Sequence, residues 1–290
     1  MADVPDPTRP SAGGRDLRSL VDPVVVVAFG GWNDAGDAAT GVIDHLGEVY
    51  GAELAFALDH DDFYDYQVNR PMVSLTDDDD RVLTWPTTEI SVGRLGSGRD
   101  LVLVQGLEPN LRWRQFTTTI ASALESANAR RVHVLGALLA DTPHTRPIPV
   151  STSTHDRELM TSLGLAPSTY EGPTGIVGVL ADTLTRAGLE VLSTWAAVPH
   201  YVSHPPCPKA TLALLSSLEQ LLDTSLDLGE LPELARAWER GVDELAAEDT
   251  EVAEYVSTLE EQQDATELPE ASGEAIAAEF ERYLRRRRGN

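Results

Sequence analysis

The chain has 290 residues, 42% of them hydrophobic and 6% aromatic, enough to bury a full core as one large domain or as a domain with an extension. Acidic residues outnumber basic ones by 47 to 22, a formal charge of −25, which argues against nucleic-acid binding because neutralising phosphate needs a basic face. The longest apolar runs, 24–29 and 134–140, fall far short of the ~20 residues that cross a bilayer, and the single cysteine, Cys207, excludes an internal disulfide and fits a reducing cytoplasm.

In chain order, residues 1–20 are Pro/Gly-rich and acidic and read as a flexible tail, not a signal peptide. Residues 21–29 form an unbroken apolar run, the pattern of a parallel strand covered on both faces. From Ala35 onward, Ala38, Ala39, Val42, Leu46 and Val49 recur at helical spacing until Gly51. A second strand is expected at 53–58, followed by a polar and aromatic loop or short helix over 59–71. Strand-like pieces at 72–75 and 81–85 flank the four aspartates 77–80, which read as a solvated hairpin tip; a cation site there would lack the glycine and distal glutamate of an EF-hand loop. Strands are expected at 89–95 and 100–105, a helix at 111–127, a strand at 131–139, a long loop at 141–153 and a short helix at 155–163. A glycine-rich turn at 172–178 opens a helix over 176–187, and a strand at 190–198 and a helix at 208–222 follow.

This alternation predicts a three-layer α/β/α sandwich over residues 21–226. Beyond it the strand signal stops. Leu231, Leu234, Ala235, Trp238, Val242 and Leu245 share one helical face, as do Val252, Tyr255, Val256 and Leu259, and then Ile276, Phe280, Tyr283 and Leu284. Residues 227–290 are therefore expected to form a helical extension of two or three helices, the last ending in four arginines, 285–288.

Ligands of open α/β folds gather where strands turn into helices, and three such turns stand out. The first, GGWNDAGD, holds Gly30, Gly31, Trp32, Asn33, Asp34 and Asp37. Its two aspartates are suited to capping the following helix or to organising a ligand or subunit contact. It is neither a phosphate-binding GxxxxGK[ST] loop nor GxGxxG. The second turn carries Glu108, with Trp113 one turn further on, and places a carboxylate at the sheet edge for use as a base, a hydroxyl acceptor or a helix brace. The third centres on Thr174, as a cap or as a second wall of the same crevice. The seven histidines are scattered. His200, His204 and Cys207 have ligand-like spacing but too few convergent partners for zinc, and Cys207 lacks a partner base. His144, Arg146 and His155 border the long loop and are candidates to close over the crevice. No Gly-x-Ser-x-Gly elbow is present, and neither a metal nor a cofactor is expected.

Four segments together, AFGGWNDAGDAATGVIDHL (28–46), GLEPNLRWRQF (106–116), YEGPTGIVGVL (170–180) and VPHYV (198–202), resemble the proteasome-assembly-chaperone family in its bacterial and archaeal branch. The acidic helical extension is similar to that of actinobacterial members. The resemblance implies a fold like that of nucleoside phosphorylases, self-association into a homo-oligomer such as a trimer, and proteasome subunits as partners. Assembly factors of this kind often carry a C-terminal hydrophobic-Tyr-x tail, whereas this chain ends Arg-Arg-Arg-Arg-Gly-Asn. The name ATP-grasp ligase, given to some members of that family, is not expected to fit here, because Lys209 is the only lysine available for nucleotide phosphates. The reading that follows is a cytoplasmic, non-enzymatic binding or assembly protein. The alternative is a nucleoside phosphorylase- or hydrolase-like enzyme acting on a small polar ligand through Asn33, Glu108 and Thr174.

Overall fold

The computed structural model describes residues 15–58, 61–76, 79–202 and 204–267. The N-terminal residues 1–14, Asp77, Asp78 and the predicted last helix with its arginine run lie outside the described residues. The strands are β1 (Val24–Gly30), β2 (Glu53–Ala57), β3 (Met72–Leu75), β4 (Arg81–Thr84), β5 (Thr88–Arg94), β6 (Asp100–Leu107), β7 (Arg131–Ala140), β8 (Val150–Ser153) and β9 (Glu190–Pro199). The helices are α1 (Ala38–Val49), α2 (Trp113–Ser126), α3 (Arg157–Leu163), α4 (Ile176–Arg186), α5 (Pro208–Leu222), α6 (Leu231–Glu248) and α7 (Thr250–Glu267).

Seven strands form one sheet in the order β2-β5-β6-β1-β7-β9-β8. The central four run parallel; β5 and β8 are antiparallel to their inner neighbours. The apolar run of β1 serves both faces: Val25, Val27 and Phe29 enter one core, and Val24, Val26 and Ala28 enter the other. Over the first core lie Phe116, Ile120 and Leu124 of α2 and Ile176, Leu180 and Leu184 of α4. Over the second lie Ile43 and Leu46 of α1 and Leu214 and Leu218 of α5. Each such side chain contributes about 1.5–3 kcal/mol on burial, so the heptad-like spacing on these helices and the valine run on β1 are two halves of one three-layer α/β/α architecture.

Two expectations need correction. The helix expected from Ala35 starts at Ala38; residues 35–37 form a 3-10 turn, because Gly36 adopts a left-handed φ of 63° that an α-helix cannot contain. The loop expected over 141–153 contains β8, an edge strand whose Thr152 hydroxyl pairs with that of Thr194 at 3.0 Å. Its sequence, VSTS, has no apolar run because an edge strand is half in water. The aspartate-tipped pieces do form an antiparallel hairpin, β3–β4, separate from the main sheet and exposed along both strands. From the C-terminal segment, α6 seats Leu231 in the second core with Trp238 packed against it.

Candidate functional site

The crevice lies at the carboxyl end of β1 and β6. These strands are neighbours, but β1 leads into α1 over one face and β6 into α2 over the other. The two helices diverge there and leave a gap at the sheet edge, the geometry in which open α/β proteins hold ligands. Only Gly31 of the glycine pair turns the chain, with φ 118°; Gly30 still belongs to β1. The turn is locked to the sheet by Ala137, whose N–H donates to the Asn33 carbonyl at 2.8 Å.

Glu108 closes the crevice floor. One of its carboxylate oxygens, Oε1, accepts from Asn33 Nδ2 at 2.8 Å and from the backbone N–H of Ile176 at 2.8 Å. It therefore joins the β1 turn, the β6 turn and the first turn of α4. The helix brace weighed for Glu108 from sequence is what the structure builds: α4 has Gly175 at its N-cap with no side-chain cap of its own, and the carboxylate arrives from β6 instead. Thr174 is exposed and supplies no capping bond. Asn33 is 1% exposed, and its Oδ1 has no hydrogen-bond partner among the described residues. That oxygen packs on Gly175, where an added Cβ would lie 2.1 Å away. The negative charge on Glu108 decides the amide orientation, since it requires the Nδ2 donor to face it.

The two aspartates differ. Asp34 is buried and caps α1, accepting from Ala39 N–H at 2.6 Å and from the Thr40 hydroxyl. Burial raises its carboxyl above the usual carboxylate range, and the bonds from Thr40 and Ala39 partly oppose that shift. Asp37 is exposed, sits at φ 49° and makes no capping bond. Trp113 braces the β6 turn by donating from Nε1 to the Pro109 carbonyl at 2.6 Å. Trp32, between the buried Asn33 and solvent, is 68% exposed. At the same sheet edge Leu107 at the end of β6, Leu111 just after it, Leu138 and Leu139 at the end of β7, and Tyr170 before α4 are exposed as well. The crevice thus has a polar floor, in which the Asp34 and Glu108 carboxylates are engaged and Asn33 Oδ1 alone is left over, and an apolar rim.

The loop after β7 faces the extension rather than the crevice. His144 is buried; its Nε2 donates to Asp243 at 3.0 Å and its Nδ1 accepts from the Tyr201 hydroxyl at 2.7 Å. Burial pushes that hydroxyl up to about 12. Arg146 pairs with Glu260 and Asp264 of α7, and Lys209 with Glu239 of α6. These strap contacts, between positions from 30 to 118 residues apart, carry no local sequence signal. His155 is exposed. His200 pairs with Asp141, and among the described residues no group of three or more His, Cys, Asp or Glu is placed to hold a metal ion. Cys207 is buried, and burial pushes its thiol up to about 11, far from a nucleophile's range. His133, within β7, went unnoticed in the sequence; burial and the nearby Arg131 and Arg99 lower it to about 3.

Fold and site together define a three-layer α/β protein with a braced crevice at its switch point. A sequence profile of the PAC2 family matches residues 28–246. The chain belongs to the PAC2 family, as the four segments led one to expect. Among solved structures it is similar to a PAC2 family protein from Streptomyces avermitilis, with 56% identity, 81% of this chain and 100% of the other covered, and a TM-score of 0.77. It is also similar to Mycobacterium tuberculosis Rv2125, described as a proteasome-assembly chaperone homologue, with 50% identity, 80% and 99% coverage and a TM-score of 0.74. Pyrococcus furiosus PbaA, an archaeal homologue of proteasome-assembly chaperone, shares the fold at 18% identity, with 84% and 96% coverage and a TM-score of 0.55. No curated protein matches the chain. Among the described residues no helix is long and apolar enough to cross a membrane.

Proposed function

We propose that this chain is a cytoplasmic, non-enzymatic assembly protein of the proteasome-assembly-chaperone type, self-associating and acting on free proteasome subunits. One observation carries the reading. The buried Asp34 and half-buried Glu108 carboxylates of the crevice are engaged by its own N–H and O–H donors, whereas the rim around them, Trp32, Leu107, Leu111, Leu138, Leu139 and Tyr170, is apolar and open to solvent. Exposed apolar rims with a central aromatic suit a protein surface better than a small polar ligand. In this reading Gly30, Gly31, Asn33, Asp34, Asp37, Glu108, Trp113 and Thr174 shape and support the surface that Trp32 presents. The name of the 50% identical mycobacterial relative points the same way.

The test is to incubate the purified chain with free proteasome α and β subunits and with the mature particle, and to follow native mass. The chain should co-migrate with free subunits and not with the mature particle, and Trp32→Ala should weaken that association without changing the melting temperature. Failure to bind any free subunit, or equal binding by Trp32→Ala, would overturn the proposal.

A further inference from the structure

The extension divides into a seated helix and a strapped one. α6 sends Leu231 into the second core and packs Trp238 against it, whereas among the described residues none of α7 belongs to either core. Val256 and Leu259 are the buried apolar side chains of α7. Between the two helices stands Asp249, extended at φ −122° and ψ 112°. Its carboxylate accepts from the Glu251 N–H at 2.9 Å, so α7 carries its own N-terminal cap and stays a helix when it swings. An element with few buried apolar contacts opens at a small fraction of the global unfolding free energy.

The hold of the α/β domain on α7 is chiefly polar and converges on one base. Arg146, in the loop after β7, donates from Nε and Nη2 to the two Asp264 carboxylate oxygens at 2.8 and 2.9 Å, and from Nη1 to Glu260 Oε1 at 3.1 Å. The Thr145 hydroxyl donates to the same Glu260 oxygen. Two carboxylates thus share one guanidinium. Beside them Gln263 bonds the Thr142 hydroxyl and the Pro147 carbonyl, and the Tyr255 hydroxyl donates to Asp141, a carboxylate of the domain that is paired with His200. Four ion pairs join domain to extension, and in each the domain supplies the base and the extension the acid. Those of His144 and Lys209 go to α6; both of those made by Arg146 go to α7.

This contact borders the apolar rim. The exposed Leu138 and Leu139 lie at the end of β7, and the chain runs from them through Asp141 into the loop that carries Arg146. A partner seated on the rim therefore meets α7 next. A planar guanidinium that takes one carboxylate in a fork and a second with the help of a hydroxyl recognises acid groups by geometry as well as by charge. The side chains of Arg146, Glu260 and Asp264 are 31%, 27% and 49% exposed, so water and salt reach the latch and its carboxylates can be exchanged for others.

We propose that α7 is an autoinhibitory strap: Glu260 and Asp264 hold, on Arg146, the place of an acidic segment of the protein partner, and α7 swings about Asp249 to yield that place. The exchange rests on the partner surface of the proposed function and adds what is recognised beside it, a pair of carboxylates.

The experiment takes two readings on the full chain. Hydrogen exchange of the chain alone follows the strap. Amides of α7 should exchange faster than those of α6, and Glu260→Gln with Asp264→Asn should speed α7 about tenfold, the effect of losing two part-exposed ion pairs, with α6 unchanged. Raising the salt should speed α7 in the parent chain as well, which needs no variant. Native mass with free proteasome subunits follows the site. The double variant should bind them about tenfold more tightly, because a larger fraction of chains is open, and adding Arg146→Gln should abolish that gain although the strap stays open. If α7 exchanges together with α6 and ignores both salt and substitution, the strap is overturned even where subunits bind. Equal gains with and without Arg146→Gln overturn the acid site. Binding of free subunits by no variant overturns the proposed function and this exchange of carboxylates together.

Discussion

Replacing Glu108 by alanine removes one acceptor and leaves two donors without partners, Asn33 Nδ2 and the Ile176 N–H. A donor so stranded costs about 1–3 kcal/mol. Glu108 is half-buried, so water re-solvates part of the gap, and the expected loss for Glu108→Ala is about 2–4 kcal/mol. Glu108→Gln keeps a carbonyl oxygen able to accept both bonds and gives up only their charge assistance, about 1 kcal/mol. Urea unfolding reads this directly as a shift in midpoint at constant slope. A cycle with Asn33→Ala isolates the pair, and the two substitutions together should cost less than their sum. Glu108→Ala within about 0.5 kcal/mol of the parent chain, or Glu108→Gln as damaging as Glu108→Ala, would refute the idea that this carboxylate pins three turns.

Gly175→Ala should cost about 1–3 kcal/mol, because its Cβ would meet Asn33 Oδ1 at 2.1 Å and Nδ2 at 2.5 Å; Asn33→Ala should remove most of that penalty in the double variant, and additive losses would count against the contact. His133 should make the fold acid-sensitive. Its folded value near 3 lies below the ordinary 6.5, so the native state binds fewer protons between those values, and its stability is whole above pH 6.5 and falls as pH drops toward 3. At pH 4.5 the loss is about 3 kcal/mol at ~1.4 kcal/mol per unit; His133→Leu should flatten that part of the stability profile, and an unchanged profile would contradict the assignment.

Much of the architecture was legible because burial writes itself locally. The valines of β1 and the helical spacing of Val42 and Leu46 each report a neighbouring layer, and four aspartates between two short strands report a hairpin tip. The crevice was legible in outline for the same reason: strand, glycine, helix. Its wiring was not. Glu108 pairs with groups 75 and 68 residues away, and the partners of Arg146 lie 114 and 118 residues on; periodicity carries no trace of such pairs. β8 escaped because an edge strand of VSTS needs no apolar signature, and Gly30 drew attention that belongs to Gly31 because composition does not reveal φ. Family resemblance recovered part of what spacing missed: the four segments on which it rests are those that meet at this one sheet edge.

The junction at Glu108 also bears on how long the native state lasts. It ties together three turns distant in sequence, and none of its bonds can form until β1, β6 and α4 are already in place. Closing such long loops is paid for by strand pairing and core collapse, so the clasp belongs after the folding barrier. A contact of that kind does little for the speed at which the chain folds but slows the rate at which it comes apart. Glu108 is therefore expected to set the lifetime of the crevice: a chain without it reaches the same fold at the same pace and leaves it sooner.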